Sequence, residues 1–365
     1  MATRSVTTIS DIAARAGVSK TAVSYAFNDP SRLSEGTVER ILAIADELSY
    51  SPNPVARSMS SGRTRTVGVL VPQPLPDMLK NPFFAEFLEG VAEVVGRAEL
   101  PIMLVPPVRG SMQHAVNDAA VDGFLTLGLE PFRPTVHILE RRGRPYVMVD
   151  SDPVDGVACV NVDDEGGAYE VMRHVLARGH RAVGILGMRS PQRGQWRKYV
   201  GTLQRRIAGY TRALAEVGLG IGSSGVHLTE CDVSEEGGRA GFGRLWTRTQ
   251  HPTALVAMSD LIAIGALEAA LDVGLDVPRQ LSVVGFDDIT QARWVRPAVT
   301  TVRQPTREKG GMAAEMLIAL LEGTAGPRHV VLATRLIERQ SVAAPIASER
   351  ILTPAAVMDS GGRSA

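Results

Sequence analysis

Polar residues close several of the apolar runs in this 365-residue chain, and those are the positions from which side chains could meet a ligand. Asp150 follows YVMV, Ser259 and Asp260 follow ALVAM, and Asp287 and Asp288 follow SVVGF. Asn81-Pro82-Phe83-Phe84 and Arg206, each at the start of a helical pattern, add aromatic faces and a forked donor. Acceptors, a guanidinium and aromatic faces suit a polyhydroxylated or heterocyclic small molecule. Each residue also has an ordinary use, since Asp287 or Ser259 can cap a helix and Phe83 can be core. Catalysis leaves no comparable mark: there is no GxGxxG after the first run, no Walker loop, no GxSxG elbow and no cluster with metal-ligand spacing. The histidines are scattered, and His180, just past a glycine helix stop, reads as structural. No enzyme activity, cofactor or metal is expected.

A second chemistry is suggested by Thr8 to Asn28, TISDIAARAGVSKTAVSYAFN. Ile9, Ile12, Ala13 and Ala16 recur at spacings of three and four and share one helical face. Thr8 is placed to cap that helix, with Asp11 completing a shortened capping box. Gly17 lets the backbone turn, and Ser19 can cap a second helix from Lys20 to Phe27. With Val23 and Phe27 inward, Lys20, Thr21, Ser24 and Tyr25 face outward, as on a helix laid into a DNA major groove. An ordinary helical hairpin in a small bundle fits these residues equally well.

Composition narrows the choice. The chain is longer than one hydrophobic core usually supports, so two or three domains are expected. Lysines plus arginines number 39 and so do aspartates plus glutamates, so any nucleic-acid binding must be local. Residues 1–66 hold eight basic residues against six acidic ones, a net of +2 that permits phosphate contact. Cys159 and Cys231 are far apart and suit a reducing compartment. No signal peptide is visible and no apolar run approaches ~18 residues, so a cytoplasmic protein without membrane segments is expected.

The chain then supplies the elements that must position these residues. Ser34 is placed to cap a third helix with Val38, Ile41, Leu42, Ala45 and Leu48 as its apolar stripe. Asn53-Pro54 can open a short helix that Ser60-Ser61-Gly62 stops. Such a helix is too short to persist unaided, so it either docks on a twin helix or DNA, or is a flexible linker. From Val67 onward, runs at 67–72, 102–106, 123–127, 146–150, 183–187, 254–258 and 281–287 read as buried parallel strands. Helical patterns at 84–98, 167–178, 206–217, 237–248, 261–273 and 307–322 lie between them. The fold class is α/β: a three-helix helix-turn-helix headpiece, then two doubly wound parallel-sheet lobes, whose ligands sit beyond the carboxyl ends of the strands.

In their order along the chain, several stretches resemble the lactose/purine repressor family of bacterial transcription regulators. They include ISDIAARAGVSKTAVSYAFND, LSEGTVERILAIADELSYSPNPVARSM, NPFFAEFLEGV, RRIAGYTRALAEVGL and TALVAMSDLIAIGALEAALDVGLDVPRQLSVVGFDDI. ARWVRPAVTTVRQPTREKG resembles the purine-repressor branch especially. The resemblance implies a repressor that binds a pseudo-palindromic operator in double-stranded DNA as a homodimer in the cytoplasm, at the nucleoid. It also implies a core like the periplasmic sugar-binding proteins, controlled by a small-molecule effector. A sugar or sugar derivative is the expected effector, with a purine or nucleoside as the alternative. A solute-binding protein would share the core but should carry a secretory signal and no headpiece.

Residue by residue, the resemblance makes Lys20, Thr21 and Tyr25 base-reading, with Ser24 on the same face and Thr8 and Ser19 on phosphates. It places Met59 as a minor-groove wedge, where the family usually has Leu, with Arg57 beside it. Tyr25 stands where the family commonly has Arg, and a phenol cannot make the two-pronged contact with guanine, so the operator should differ at that base. The effector residues implied are Phe83 for stacking, Arg206 as clamp, Asp150 and Asp287 for hydroxyls, and Ser259 in the place of an Asn. The loop 188–204, with Trp196 and several basic residues, reads as a solvated surface loop rather than a pocket cover, and 73–80 lengthens the approach to Asn81. The boundaries implied are a headpiece at 1–51, a hinge helix and linker at 52–65 and a two-lobed core at 66–345. Within it the first lobe spans about 66–163 and 302–326 and the second about 164–301 and 327–345, before a tail at 346–365 expected to be disordered. That tail lacks heptads, which favours a dimer over a tetramer.

Overall fold

Thr8 opens the first helix by donating its backbone N–H and its hydroxyl to Asp11 Oδ2, both at 2.8 Å, so the capping box is held from the Asp11 side. The structure, a computed structural model, describes residues 7–51, 58–59, 62–71, 73–128, 134–190, 194–248 and 250–346. It divides into two units, Met1–Arg65 and Thr66–Ala365.

In the first unit, α1 (Ile9–Ala16) ends at Gly17, whose φ of 67° lies in the left-handed region that favours glycine. Ser19 Oγ accepts the Ala22 N–H at 3.1 Å and starts α2 (Lys20–Asn28). After a 3-10 turn comes α3 (Glu35–Glu47). Ile12, Ala13, Ala16, Val23, Ala26, Ile41 and Ala45 form the core, and Phe27 packs beside it against Tyr50. Two expectations need correction. Ser34 turns its hydroxyl to Thr37 Oγ1 at 2.8 Å instead of capping α3, and Leu42 is exposed, because α3 turns Ile41 and Ala45, with Ile44 and Leu48 beside them, toward the small core.

The second unit contains, in order, β1 (Val67–Leu70), α4 (Leu75–Leu79), α5 (Pro82–Arg97), β2 (Ile102–Val105), α6 (Met112–Asp118), β3 (Gly123–Leu127), α7 (Pro134–Arg142), β4 (Tyr146–Val149) and β5 (Ala158–Val162). Then come α8 (Asp164–Ala177), β6 (Val183–Met188), α9 (Gly201–Ala215), β7 (Val226–Cys231), α10 (Glu235–Trp246), β8 (Ala254–Ala257), α11 (Asp260–Asp272) and β9 (Ser282–Val284). The last elements are α12 (Gln291–Trp294), β10 (Thr301–Arg303), α13 (Thr306–Glu322), β11 (His329–Leu332) and β12 (Arg335–Ile337). All seven predicted strands are present, and β5, β7 and β10 to β12 join them.

Two parallel sheets define two lobes. One has the order β11-β5-β4-β3-β1-β2 and the other β7-β6-β8-β9, while β10 and β12 pair antiparallel. Helices cover both faces of each sheet, which is why the strands read as continuous apolar runs. β11 pairs with β5 through His329↔Cys159, so the chain leaves the first lobe for the last time after Leu332, not near 326 as the sequence suggested. The helix pairs that carry site residues cross at close range. A Cβ on Gly90 of α5 would collide with the Arg307 carbonyl of α13, and one on Gly209 of α9 with the Glu165 carbonyl of α8.

Candidate ligand cleft and nucleic-acid interface

Phe83, Asp150, Arg206, Ser259 and Asp287 all line one cavity of about 340 Å³ in the second unit. Each arrives by a different element. Asn81 Oδ1 accepts the Phe83 N–H at 3.1 Å and Pro82 fixes the first turn of α5, which sets Phe83 at the cavity while Phe84 enters the first-lobe core. Asp150 follows β4 with a left-handed φ of 54°. Ser259 both caps α11, accepting the Ile262 N–H at 3.4 Å, and faces the cavity, so the ordinary and the functional use coexist. Asp287 caps no helix and accepts from Gln304 Nε2 at 2.6 Å. Phe83 also packs against second-lobe core residues, joining the two lobes at the cavity.

Arg206 is almost wholly buried. Its Nε donates to Asp164 Oδ1 at 2.9 Å, one terminal nitrogen reaches the Met258 carbonyl and the other lies 3.9 Å from Asp287 Oδ1, with the guanidinium 3.6 Å from the Phe286 ring centre. Sequence reasoning missed several partners. Lys309 of α13, fully buried, donates to Asp150 Oδ2 at 2.6 Å and Gln304 Oε1 at 2.8 Å, with its ammonium 4.7 Å from the Phe83 ring centre. Arg205 pairs with Asp152 at 3.0 Å and Asp164 at 3.2 Å, and Asp152 accepts the Gly201 N–H at 3.1 Å. These bonds tie the segment after β4 to the start of α9, across the cleft. In a helical pattern Lys309 reads as one more solvated charge.

The 188–204 loop needs correction. Met188, Arg189, Ser190 and Val200 to Leu203 line the cavity, Tyr199 is buried with its hydroxyl on Glu230, and half-buried Trp196 packs on the second-lobe core. Gln73 and Met78 of the 73–80 stretch line it too. His180 is structural, bonded to Thr253 Oγ1 and the Ala343 carbonyl at 2.8 Å each.

Beneath the cleft lies a buried acid pair. Asp260 accepts from the Thr301 hydroxyl at 2.5 Å and the Ile289 N–H at 2.9 Å, and burial, then the charge of Asp287, pushes its pKa up to about 8. Burial also raises Asp287, against the pull of Arg206. An acid whose folded-state pKa is raised holds its proton more tightly when folded. Its contribution to stability is complete below its ordinary 3.8 and is lost as pH rises through about 8. The melting temperature is therefore expected to fall between pH 5 and 9, and Asp260→Asn to flatten that decline. An unchanged slope would mean that Asp260 does not hold the proton.

In the first unit Lys20 and Thr21 are exposed on α2, with Ser24 and Tyr25 half-buried beside them. Ser24 Oγ is approached by Asn28 Nδ2 at 3.3 Å. A neighbour the sequence did not single out is Arg32, which donates to the Tyr25 hydroxyl at 3.1 Å, lies 4.9 Å from its ring centre and pairs with Asp29 at 2.8 Å. Ser58 and Met59 are helical, with Met59 82% exposed. Arg57 and the rest of 52–57 lie outside the described residues. No helix among the described residues is long and apolar enough to cross a membrane.

A helix-turn-helix unit and a two-lobed parallel-sheet core whose cleft sets charged side chains among apolar ones define a class, ligand-responsive DNA-binding proteins. Residues 8–53 match the pattern of bacterial regulatory proteins of the lacI family, and residues 172–342 that of the periplasmic binding protein-like domain. The HTH-type transcriptional repressor PurR of Erwinia tasmaniensis is 32% identical over 349 residues, covering 92% of this chain and 97% of that protein. The transcriptional regulator CelR, solved with cellobiose, shares 28% identity over 92% of this chain and 99% of its own, with a TM-score of 0.68. The lac repressor dimer, solved with operator and the anti-inducer ONPF, shares the fold with a TM-score of 0.77 at 23% identity, over 93% of this chain and 100% of that one. The chain belongs to the lacI family, and it is a DNA-binding transcriptional regulator with a core built for a small-molecule effector.

Proposed function

We propose that the protein is a repressor acting in the cytoplasm, at the chromosome. As a homodimer it binds a pseudo-palindromic operator, and a sugar or sugar derivative in the cleft controls it. The observation that carries the effector reading is the convergence of five residues, from Phe83 to Asp287, on one cavity. Its wall is rich in acceptors, and CelR, similar over most of the chain, was solved with a disaccharide. A purine or nucleoside is the second reading, favoured by the identity to proteins named PurR and by the Phe83 face. On the DNA side, Lys20, Thr21 and Tyr25 read bases with Ser24 beside them, while Arg57 and Met59 act at the operator centre. Ser19 keeps its hydroxyl proton for a phosphate, whereas Thr8 gives its own to Asp11. Arg32, held on Tyr25, supplies the guanidinium that the recognition helix lacks.

Control follows from populations. The bonds of Asp152 to Gly201 and Arg205 exist in one relative position of the lobes. A ligand that binds this position better than another shifts the equilibrium by its differential affinity alone.

Selection of sites from random duplex DNA by the full-length protein tests the DNA reading. A two-fold symmetric site is expected, and Arg32→Ala should relax one base pair per half-site by about 1–3 kcal/mol. Binding that ignores sequence would overturn the proposal, and an unchanged preference in Arg32→Ala would remove that residue from base reading.

A further inference from the structure

Among the described residues each charged side chain on the cavity wall lies beside an opposite charge of the protein, in buried contacts for Asp150, Arg206 and Asp287, a half-buried one for Asp152 and an exposed one for Arg189. Among the described residues the charged lining consists of Asp150, Asp152, Arg189, Arg206 and Asp287. Asp150 is held by Lys309 at 2.6 Å, Asp152 by Arg205 at 3.0 Å, Arg206 by Asp164 at 2.9 Å and Arg189 by Asp232 at 2.8 Å. Asp287 accepts from Gln304 and lies 3.9 Å from Arg206. A charged ligand entering this cavity would lose its water and find, among the described residues, no unpaired buried charge to replace it. At Asp150 or Arg206 it would have to break a buried pair, which leaves a buried charge stranded, whereas the Arg189–Asp232 pair is exposed and costs little to part.

An uncharged ligand meets no such obstacle. Asp150 lines the cavity, and its Oδ1 is buried without a hydrogen-bond partner, an acceptor that a hydroxyl or N–H of a neutral molecule could fill. The residue that fixes this state is Lys309. It is fully buried and acts through Asp150 and through the face of Phe83. Without it, Asp150 would demand a cation from the ligand.

We propose that the cleft selects an uncharged effector and excludes phosphate esters and amines, and that Lys309 sets this selectivity by neutralising Asp150 from within. This deepens the reading of the cavity as the effector site and rests on it. Lys309 is a specificity-determining residue that does not itself touch the ligand.

The test uses the full-length protein in thermal-shift and calorimetric titrations with matched probes: glucose, ribose, cellobiose and adenosine, the phosphate esters of glucose, ribose and adenosine, and glucosamine. The neutral members are expected to bind, with each charged counterpart at least tenfold weaker than its parent. In Lys309→Met the amine should gain at least tenfold on its neutral parent, and in Asp150→Asn, which keeps the side-chain shape, the phosphate esters should gain instead. A phosphate ester or amine that outbinds its parent in the unaltered protein overturns the proposal while leaving the cavity as the effector site. Binding that survives both Arg206→Ala and Asp287→Ala overturns the effector site itself.

A ligand-free measurement tests the pair directly. Lys309→Met removes the cation paired with Asp150 and should lower the melting temperature, and adding Asp150→Asn to it should recover part of that loss. A double variant no more stable than Lys309→Met would show that Lys309 does not compensate Asp150, and would overturn the assignment.

Discussion

Arg206→Ala is expected to destabilise the second unit by about 3–5 kcal/mol, the cost of removing one partner from a buried ion pair. The number is large because of what is left behind. Asp164 is fully buried and would keep only Arg205, at 3.2 Å, as its cation, while Asp287 would lose the stronger of the two positive charges, Arg206 and Lys309, that oppose the effect of its burial. The Met258 carbonyl would lose a donor and the Phe286 ring the guanidinium stacked 3.6 Å from its centre. Arg206→Lys should recover only part of the loss. An ammonium is a point charge and cannot serve Asp164, Met258 and Asp287 from one planar fork. Urea unfolding of both variants measures this, and a loss below about 1 kcal/mol for the alanine variant would sink the view that Arg206 organises the cleft floor. The same substitution should abolish effector binding, because Asp287 and Asp164 are no longer held in register.

The second large effect concerns DNA. Met59→Ala should weaken binding to the selected operator on the order of 10- to 100-fold, the loss of an apolar side chain worth about 1.5–3 kcal/mol when buried. Non-specific duplex binding should hardly change, since it depends on phosphate neutralisation. Met59 is 82% exposed in the free chain, so truncating it removes little folded-state packing and the loss should appear only on the complex. A long unbranched side chain left in water suits a wedge that unstacks a base step and is covered only when DNA bends around it. Fluorescence anisotropy at one fixed salt concentration, with operator and scrambled duplexes, separates the two terms. Equal losses on both would remove Met59 from the minor groove.

Much of the fold and of the cleft is legible in the order of the amino acids. The headpiece follows from local spacing: Ile12, Ala13 and Ala16 on one face, Gly17 at the turn, Ser19 as cap. Seven of the strands follow from apolar runs, almost wholly buried except in β2, where Met103 is exposed, and Asp150, Ser259 and Asp287 stand out because they close such runs. Other strands do not show in this way. β7 mixes polar residues into a half-buried stretch, β10 and β12 set only one or two apolar residues beside threonine or arginine, and β11 is exposed at every second residue.

What the amino-acid sequence determined by itself is therefore the type and order of the longer helices and the more apolar strands, and the residues at their ends, because these depend on spacings of two, three and four along the chain. Only the tertiary structure decided who meets whom. β11 lies against β5 although some 170 residues separate His329 from Cys159. Lys309 looks like a solvated helix charge until α13 returns to the first lobe and sets its ammonium against Asp150 and Phe83. Arg32 lies beyond the recognition helix and reaches Tyr25 only because a 3-10 turn folds it back. Such pairings join residues from distant segments, or across a turn with no period of its own. Local periodicity carries no signal for them, and they become fixed when the helices pack.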